Sequence, residues 1–353
     1  MPKKLFVISG EMRELRFILC ITVMFIAFAS CSRQQADAIP SPARSVYYWK
    51  TVFKLDSTET DFLKIHSVKK IYLRYFDVDY DEKGKVVPVG TVRFESKIPS
   101  GTKIIPVVFI EKHCLNNTGG LAEKIVNRVL KMSEVHGISI DELQIDCDWT
   151  KGTRKAYFDL LSEMRKLLKE DAYLISATIR LHQLEQPAPP VDYGVLMCYN
   201  TGNLRDYKCE NSILDAKDVA PFVRHHLERY KLPLCGAYPV FSWNLLFEMG
   251  QFKTILRDID ISDSTLYKKV SDKRYIVMRS HTVPVPDRDS FGLMVRAGDE
   301  IKVDDVSVET VMDVQRMLER KRPNIDRQVI LFSLNSINNN KIKPYEIDEI
   351  YNH

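Results

Sequence analysis

Two aspartates one residue apart, Asp146 and Asp148, stand in "DELQIDCDWTKGTRKAYFDLL" (141–161) where an apolar run gives way to an amphipathic one. Carboxylates at such a junction serve proton transfer or charge stabilisation, or they only close a strand by hydrogen bonding. Residues of similar capacity end other apolar runs: Trp49, Asp77 with Asp79, Glu111, Trp149, Arg180, Tyr199 with Asn200, Tyr238, Trp243 and Asn335. Acids and amides beside aromatic faces suit sugar rings, which stack on the latter and hydrogen-bond to the former. For each tryptophan the competing reading is closure of the core. For Asp146 it is pairing inside the fold with Arg180 or Arg74. A divalent cation on Asp77, Asp79, Asp146 and Asp148 is a further arrangement. No His-rich motif accompanies these acids, so the sequence predicts neither a metal nor a cofactor.

The elements that must position these side chains recur in a simple order. Strand-like runs fall at 45–50, 69–79, 103–111, 142–149, 174–181, 193–200, 232–241 and 328–335. Their β-branched and aromatic content suits strands buried on both faces. Between them, Tyr157, Leu160, Leu161, Met164, Leu167 and Leu168 share one helical face, as do Leu121, Ile125 and Val129. Val219, Phe222, Val223, Leu227 and Tyr230 repeat the pattern, and so do Val311, Val314 and Leu318. The helix after the fifth run is weak, because "HQLEQPAPP" is short and ends in prolines. Residues 243–305 are too long for a crossover and hold strand-like pieces of their own, which predicts a small α+β insertion.

Eight strands alternating with helices predict an α/β fold, a (β/α)8 TIM barrel over residues 45–353. A doubly wound open sheet is disfavoured, since "YYWKTVFKLDST" supplies no glycine-rich phosphate loop after the first strand. In a barrel the ends of all eight runs meet at one mouth.

The chain's charge and N-terminus bound its partners. The formal net charge is +4, and Lys3, Lys4, Arg13 and Arg16 against Glu11 and Glu14 place half of it within residues 1–30. With no basic run interleaved with aromatics, a nucleic-acid partner is not predicted. "FILCITVMFIAFASC" has an apolar core of about a dozen residues behind two arginines, too short to span a bilayer but suited to a signal peptide over 1–30. Its end, Ala29-Ser30-Cys31, resembles the lipobox of bacterial lipoproteins. That resemblance implies a lipidated Cys31, a polar tether over 31–44, and a chain anchored in a bacterial cell envelope. The outer membrane, on its periplasmic or surface face, is the expected site. An ordinary cleaved signal is the competing reading, and Met12 is an alternative start. Cys114, Cys147, Cys198, Cys209 and Cys235 are widely spaced without a CxxC, which argues against a zinc site. Cys198 and Cys209 are the pair most open to oxidation in an exported chain.

Three stretches carry a resemblance to a known family. "LQIDCDWT" resembles the fourth-strand DxxDxDxE motif of the family 18 glycoside hydrolases, the chitinase-like TIM barrels. "VLMCYN" is similar to their sixth-strand Met-x-Tyr-Asp run, and "LPLCGAYPVFSW" to their seventh strand, with its tyrosine and nearby tryptophan. The insertion falls where many members carry an α+β subdomain. The layout also resembles a branch of uncharacterised bacterial lipoproteins that lacks the motif glutamate.

In the enzymes, the sugar's acetamido oxygen attacks C1, the motif glutamate protonates the leaving oxygen, and an aspartate and a tyrosine hold the acetamido group. The resemblance gives the orienting role to Asp148, the supporting role to Asp146 and the tyrosine's role to Tyr199. Leu143 replaces the first aspartate, Asn200 the sixth-strand aspartate, and Thr150 the proton-donating glutamate. A threonine hydroxyl is far too weak an acid for that step. Glu111, or the acids of the second strand, remain as substitute donors, since two-carboxylate mechanisms need groups roughly 5–9.5 Å apart. An enzyme acting on an N-acetylhexosamine-containing glycan, a non-catalytic glycan-binding lipoprotein of a saccharide-capture or envelope system, and an occluded scaffold all stay open. Trp49, Asp77, Trp149, Arg180, Asn200, Tyr238 and Trp243 are the expected substrate contacts.

Overall fold

The computed structural model describes residues 43–169, 172–257, 259–284, 292–334 and 342–353. The expected signal peptide over 1–30, Cys31, residues 31–42 of the expected tether, and Asn335 lie outside these residues. Eight parallel strands form one sheet: β1 (Ser45–Tyr48), β2 (Lys70–Tyr80), β3 (Lys103–Ile110), β4 (Glu142–Asp146), β5 (Leu174–Arg180), β6 (Tyr193–Met197), β7 (Leu234–Pro239) and β8 (Val329–Phe332). β1 pairs with β2 and with β8, Ser45 standing opposite both Lys70 and Ile330, so the sheet closes into the expected barrel. β4, β6 and β7 are buried along their whole length, as strands covered on both faces must be.

The covering helices are α1 (Ser57–Ile65), α2 (Leu121–Val135), α3 (Arg154–Leu168), α4 (Ala216–His225), α5 (Val308–Lys321) and α6 (Pro344–Asn352). Their starts are written in the sequence. Asp56 and Glu59 make a reciprocal capping box on α1, while Asp215 and Ser307 accept backbone N–H groups at the starts of α4 and α5. α3 buries Tyr157, Leu160, Leu161, Met164 and Leu168 against the barrel, and Leu167 turns to solvent. Among the described residues two crossovers have no helix. After β2 the chain returns as a strand, Val86–Val89, antiparallel to the end of β2. After β5 it makes only the 3-10 turn Leu181–Glu185, where the proline-ended segment had left little room for a helix.

The insertion leaves and rejoins the barrel at one neck, with Trp243 paired to Asp304. Its strands Trp243–Glu248, Gln251–Leu256, Tyr267–Ser271, Arg274–Val277 and Glu300–Asp304 form an antiparallel sheet, beside a hairpin of His281–Val283 and Leu293–Val295. Its described residues are strand and turn only, which corrects the expected α+β character. The apolar positions come in runs too short for a helical face, separated by tight turns. Leu246, Leu256, Tyr267, Val277, Val283, Val295 and Ile301 give it a core of its own. No helix among the described residues is long and apolar enough to cross a membrane.

The barrel lumen is polar, and a hydrogen-bonded network links many of its groups. Tyr193 and Ser176 both donate to the buried Glu142 carboxylate, at 2.5 and 2.6 Å, and Tyr193 also bonds to Tyr72 at 2.8 Å. Gln328 donates to Tyr72 and accepts from Lys70. Tyr47 donates to Gln144 at 2.7 Å one layer higher. Burial raises the Glu142 pKa, while the Ser176 and Tyr193 hydrogen bonds and the Lys70 charge work the other way. Such a network fixes register tightly because each member lost would strand a buried partner.

Candidate active site

β4 alternates as a strand buried on both faces must, so Glu142, Gln144 and Asp146 share the lumen side. Asp146 is buried and accepts a 2.5 Å hydrogen bond from Thr178 of β5. Two residues further along β5, Arg180 reaches back across the strand pair. Its Nη2 lies 3.1 Å from Asp146 Oδ1, and its Nε donates to Asp148 Oδ1. One guanidinium therefore holds both motif carboxylates, which settles Arg180 over Arg74 as the partner of Asp146. Burial opposes the charge on Arg180, but Asp146 and Asp148 outweigh it and raise the pKa of the guanidinium. Thr150 is exposed, and its backbone N–H is taken by the Thr153 hydroxyl in the turn that starts α3.

Next to this cluster a cavity of about 390 Å³ is lined by Asp148, Arg180, His182, Met197, Tyr199 and Asn200, among others. Two polar groups beside it are buried without a hydrogen-bond partner among the described residues, the Tyr199 hydroxyl and Arg180 Nη1. Burial raises the Tyr199 pKa, with nearby Arg180 pulling it back, so the hydroxyl keeps its proton as a donor. Asn200 takes φ +55, a left-handed conformation asparagine tolerates better than most residues.

From Tyr199 an aromatic arc runs around the mouth. Tyr199 stacks on Phe332 at 4.7 Å and 25°, and Phe332 meets Trp49 at 5.8 Å. On the other side Phe241 touches Tyr199 and Phe332 and packs edge-on to Trp243 at 5.1 Å. Trp49 and Trp243 are half-buried, and Trp243 donates its indole N–H to Ser212. Sequence reasoning missed Phe332 and Phe241, which read as ordinary strand residues. For Phe241 the available signal was its place at the C-terminal end of the seventh run; Phe332 stands inside the eighth run, where nothing marked it.

Three expected contacts lie elsewhere or are already engaged. Trp149 is fully buried and stacks on Tyr157 of α3 at 5.9 Å and 21°, so it cannot meet a ligand. The alternation that keeps Asp146 on the lumen side sends it outward under the helix. Tyr238 is also fully buried. Its hydroxyl lies over Gly236 and donates to Asp326 at 2.6 Å, on the side of the strand away from the mouth. Asp77 is clamped by Arg74, which donates through Nε at 2.6 Å and through Nη2.

Glu111 sits differently. Phe109 of β3 is in register with Asp146, so Glu111 and Asp148, each two residues on, fall at adjacent strand ends. Its carboxylate is half-buried and has no hydrogen bond or ion pair among the described residues. The four-acid cation arrangement is not assembled, because Asp77 goes to Arg74, Asp79 to His113, and Asp146 with Asp148 to Arg180. Cys114, Cys147, Cys198, Cys209 and Cys235 are all free, so Cys198 and Cys209 are not joined.

No protein-family model matches the chain, and no curated protein matches it. Solved structures do. The spore cortex-lytic enzyme SleL of Bacillus cereus superposes with a TM-score of 0.52 at 12% identity, covering 88% of this chain and 74% of that one. The GH18 chitinase of Cycas revoluta in complex with (GlcNAc)3 gives 0.52 at 12% identity, covering 88% of this chain and 99% of that one. The chitinase of Chromobacterium violaceum gives 0.52 at 8% identity, covering 88% and 98%. The chain thus has the fold of the chitinase-like, GH18-type TIM barrels, as its strand motifs implied.

Proposed function

We propose that this chain binds an N-acetylhexosamine-containing glycan at the barrel mouth without cutting it, as a lipoprotein held in the bacterial envelope through Cys31. The observation that carries this reading is the pair of buried, unpartnered donors beside the cavity, Tyr199 Oη and Arg180 Nη1. Desolvated donors of this kind are costly until a ligand oxygen satisfies them. The arc of Trp49, Phe332, Tyr199, Phe241 and Trp243 offers apolar faces for sugar rings. Support for the sugar class comes from fold neighbours whose complexes contain (GlcNAc)3 and (GlcNAc)4. The missing motif glutamate at Thr150 and the tie between Arg180 and Asp148 speak for capture rather than hydrolysis.

A hydrolase is the second reading, favoured by Glu111, unpaired among the described residues, at the strand end next to Asp148. One experiment separates the two. N-acetylglucosamine oligomers and peptidoglycan fragments are titrated into the full chain, and product masses are recorded in parallel. Binding weakened by about three- to tenfold in Tyr199→Phe, the worth of one hydrogen bond, with no products formed, is the expected outcome. Products that vanish in Glu111→Gln would establish the hydrolase. Neither binding nor products from any of these ligands would sink the glycan reading.

A further inference from the structure

At the ends of β2 and β3, three side chains of different chemistry converge. One ligand atom from each of Asp79, His113 and Cys114 lies within 4.8 Å of the other two. His113 and Asp79 are already in contact at 2.6 Å. The local chain explains the convergence. Glu111 begins a 3-10 turn, Lys112–Asn116, in which the Cys114 N–H bonds to the Glu111 carbonyl at 2.9 Å. That turn aims Cys114 Sγ at the Val78 carbonyl, 3.6 Å away, next to Asp79. Tyr80 stacks on the His113 ring at 5.1 Å and 26° and gives its backbone N–H to Asp79, so both outer groups are braced.

We propose that Asp79, His113 and Cys114 form a binding site for one divalent ion of the zinc class, with a fourth position open to solvent. Thiolate and imidazole with one carboxylate select a borderline-soft ion over calcium or magnesium. Bond lengths of about 2.0–2.3 Å around a tetrahedral ion separate donor atoms by roughly 3.3–3.7 Å. The three atoms are therefore within a small side-chain adjustment of that geometry, Asp79 and His113 opening slightly and Cys114 closing in. On binding, the Cys114 S–H bond breaks, its proton passes to water, and the sulfur–metal bond forms. The proton shared by Asp79 and His113 moves through water to His113 Nδ1, so that Nε2 offers its lone pair and the hydrogen bond is exchanged for two metal bonds. One thiolate and one carboxylate then balance the charge of a divalent ion.

The site can be reached from solvent. Asp79 and His113 are 39% and 46% exposed, enough for an ion to enter, while Cys114 is buried behind them. Glu111, unpartnered among the described residues, opens the same turn and adds a carboxylate nearby. Sequence spacing hid the site, since His113 and Cys114 are adjacent and Asp79 comes from the preceding strand.

The test uses the full chain, stripped with a chelator and titrated with Co²⁺ and then Zn²⁺. One tightly held Co²⁺ per chain, with a thiolate charge-transfer band and tetrahedral d–d bands that Zn²⁺ displaces, is expected. His113→Ala and Cys114→Ser should each weaken binding by at least about tenfold, and Cys114→Ser should abolish the charge-transfer band. His113→Ala changes a half-exposed side chain and keeps the test valid if Cys114→Ser does not fold. Absence of the band in the wild-type chain would overturn the proposal. So would a band that persists unchanged in both variants, which would assign the ion to another thiol.

Discussion

Arg180→Met tests the central claim about the site, that one guanidinium keeps two motif carboxylates in place. Methionine retains an unbranched apolar stem, so the change removes mainly charge and hydrogen bonds. Asp146 is 2% exposed, and without Arg180 its remaining hydrogen bond comes from Thr178. Leaving one member of a buried pair unpartnered costs about 3–5 kcal/mol. Asp148 contributes little to that figure. Its side chain is 54% exposed, and a pair of that kind is worth at most about 1 kcal/mol. Urea unfolding of the wild type, Arg180→Met, Asp146→Asn and the double variant closes a thermodynamic cycle. Arg180→Met is expected to lose about 3–5 kcal/mol, and adding Asp146→Asn should return about 2 kcal/mol or more, because the stranded charge is gone. A loss below about 1 kcal/mol, or a double variant no more stable than Arg180→Met, would refute the reasoning. Asp146 would then be solvated or paired in another way.

Three further outcomes follow from the packing around the site. Trp149→Ala should cost about 3–5 kcal/mol in unfolding experiments and leave glycan affinity intact, whereas Trp49→Ala should do the reverse; affinity lost with Trp149 would contradict its place under α3. Burial holds the Asp326 carboxyl at about 7 against an ordinary 3.8, with the Tyr238 hydrogen bond pulling it down. The native state then holds that proton more tightly than the unfolded chain does. Stability is full below about pH 4 and falls as pH rises to about 7, by up to about 4 kcal/mol. Asp326→Asn should flatten that fall, and melting curves at pH values across the window that stay parallel to the wild type would dismiss it. A Cβ on Gly236 would sit 2.4 Å from the Tyr238 hydroxyl and 2.5 Å from Asp326, so Gly236→Ala should lose about 1–3 kcal/mol by overpacking. A fully stable alanine variant would mean that Tyr238 moves freely.

How far the site was legible depends on which distance a residue acts over. The eight strands were readable because a strand buried on both faces writes itself as an unbroken apolar run, as "YGVLM" does in β6. Helix starts were readable for the same local reason, Asp56 with Glu59 being one turn of chain. Trp149 was misread although the means to place it were present. It differs in parity from Asp146, and a strand that continues its alternation must send the two side chains opposite ways. Tyr238 needed more than parity, since its direction depends on Gly236 leaving room above the strand.

Arg180 is the harder case. Its partnership with Asp146 and Asp148 exists only because β5 lies beside β4 in a register that sets Ile145 opposite Ala177. Nothing within either strand states that register. A pair of acids at a strand end looks the same in sequence whether the neighbouring strand brings a cation, a second acid or a methyl group. Their chemistry differs entirely among the three. With Arg180 present, Asp148 is a braced part of the cavity wall, and the donors on Tyr199 and Arg180 that are unpaired among the described residues become the features a ligand would meet first. The same logic applies at Asp79, where a 3-10 turn on the next strand supplies histidine and thiol. In both places the residue that defines the chemistry comes from the neighbouring strand, so strand order, more than motif, decides what the mouth can do.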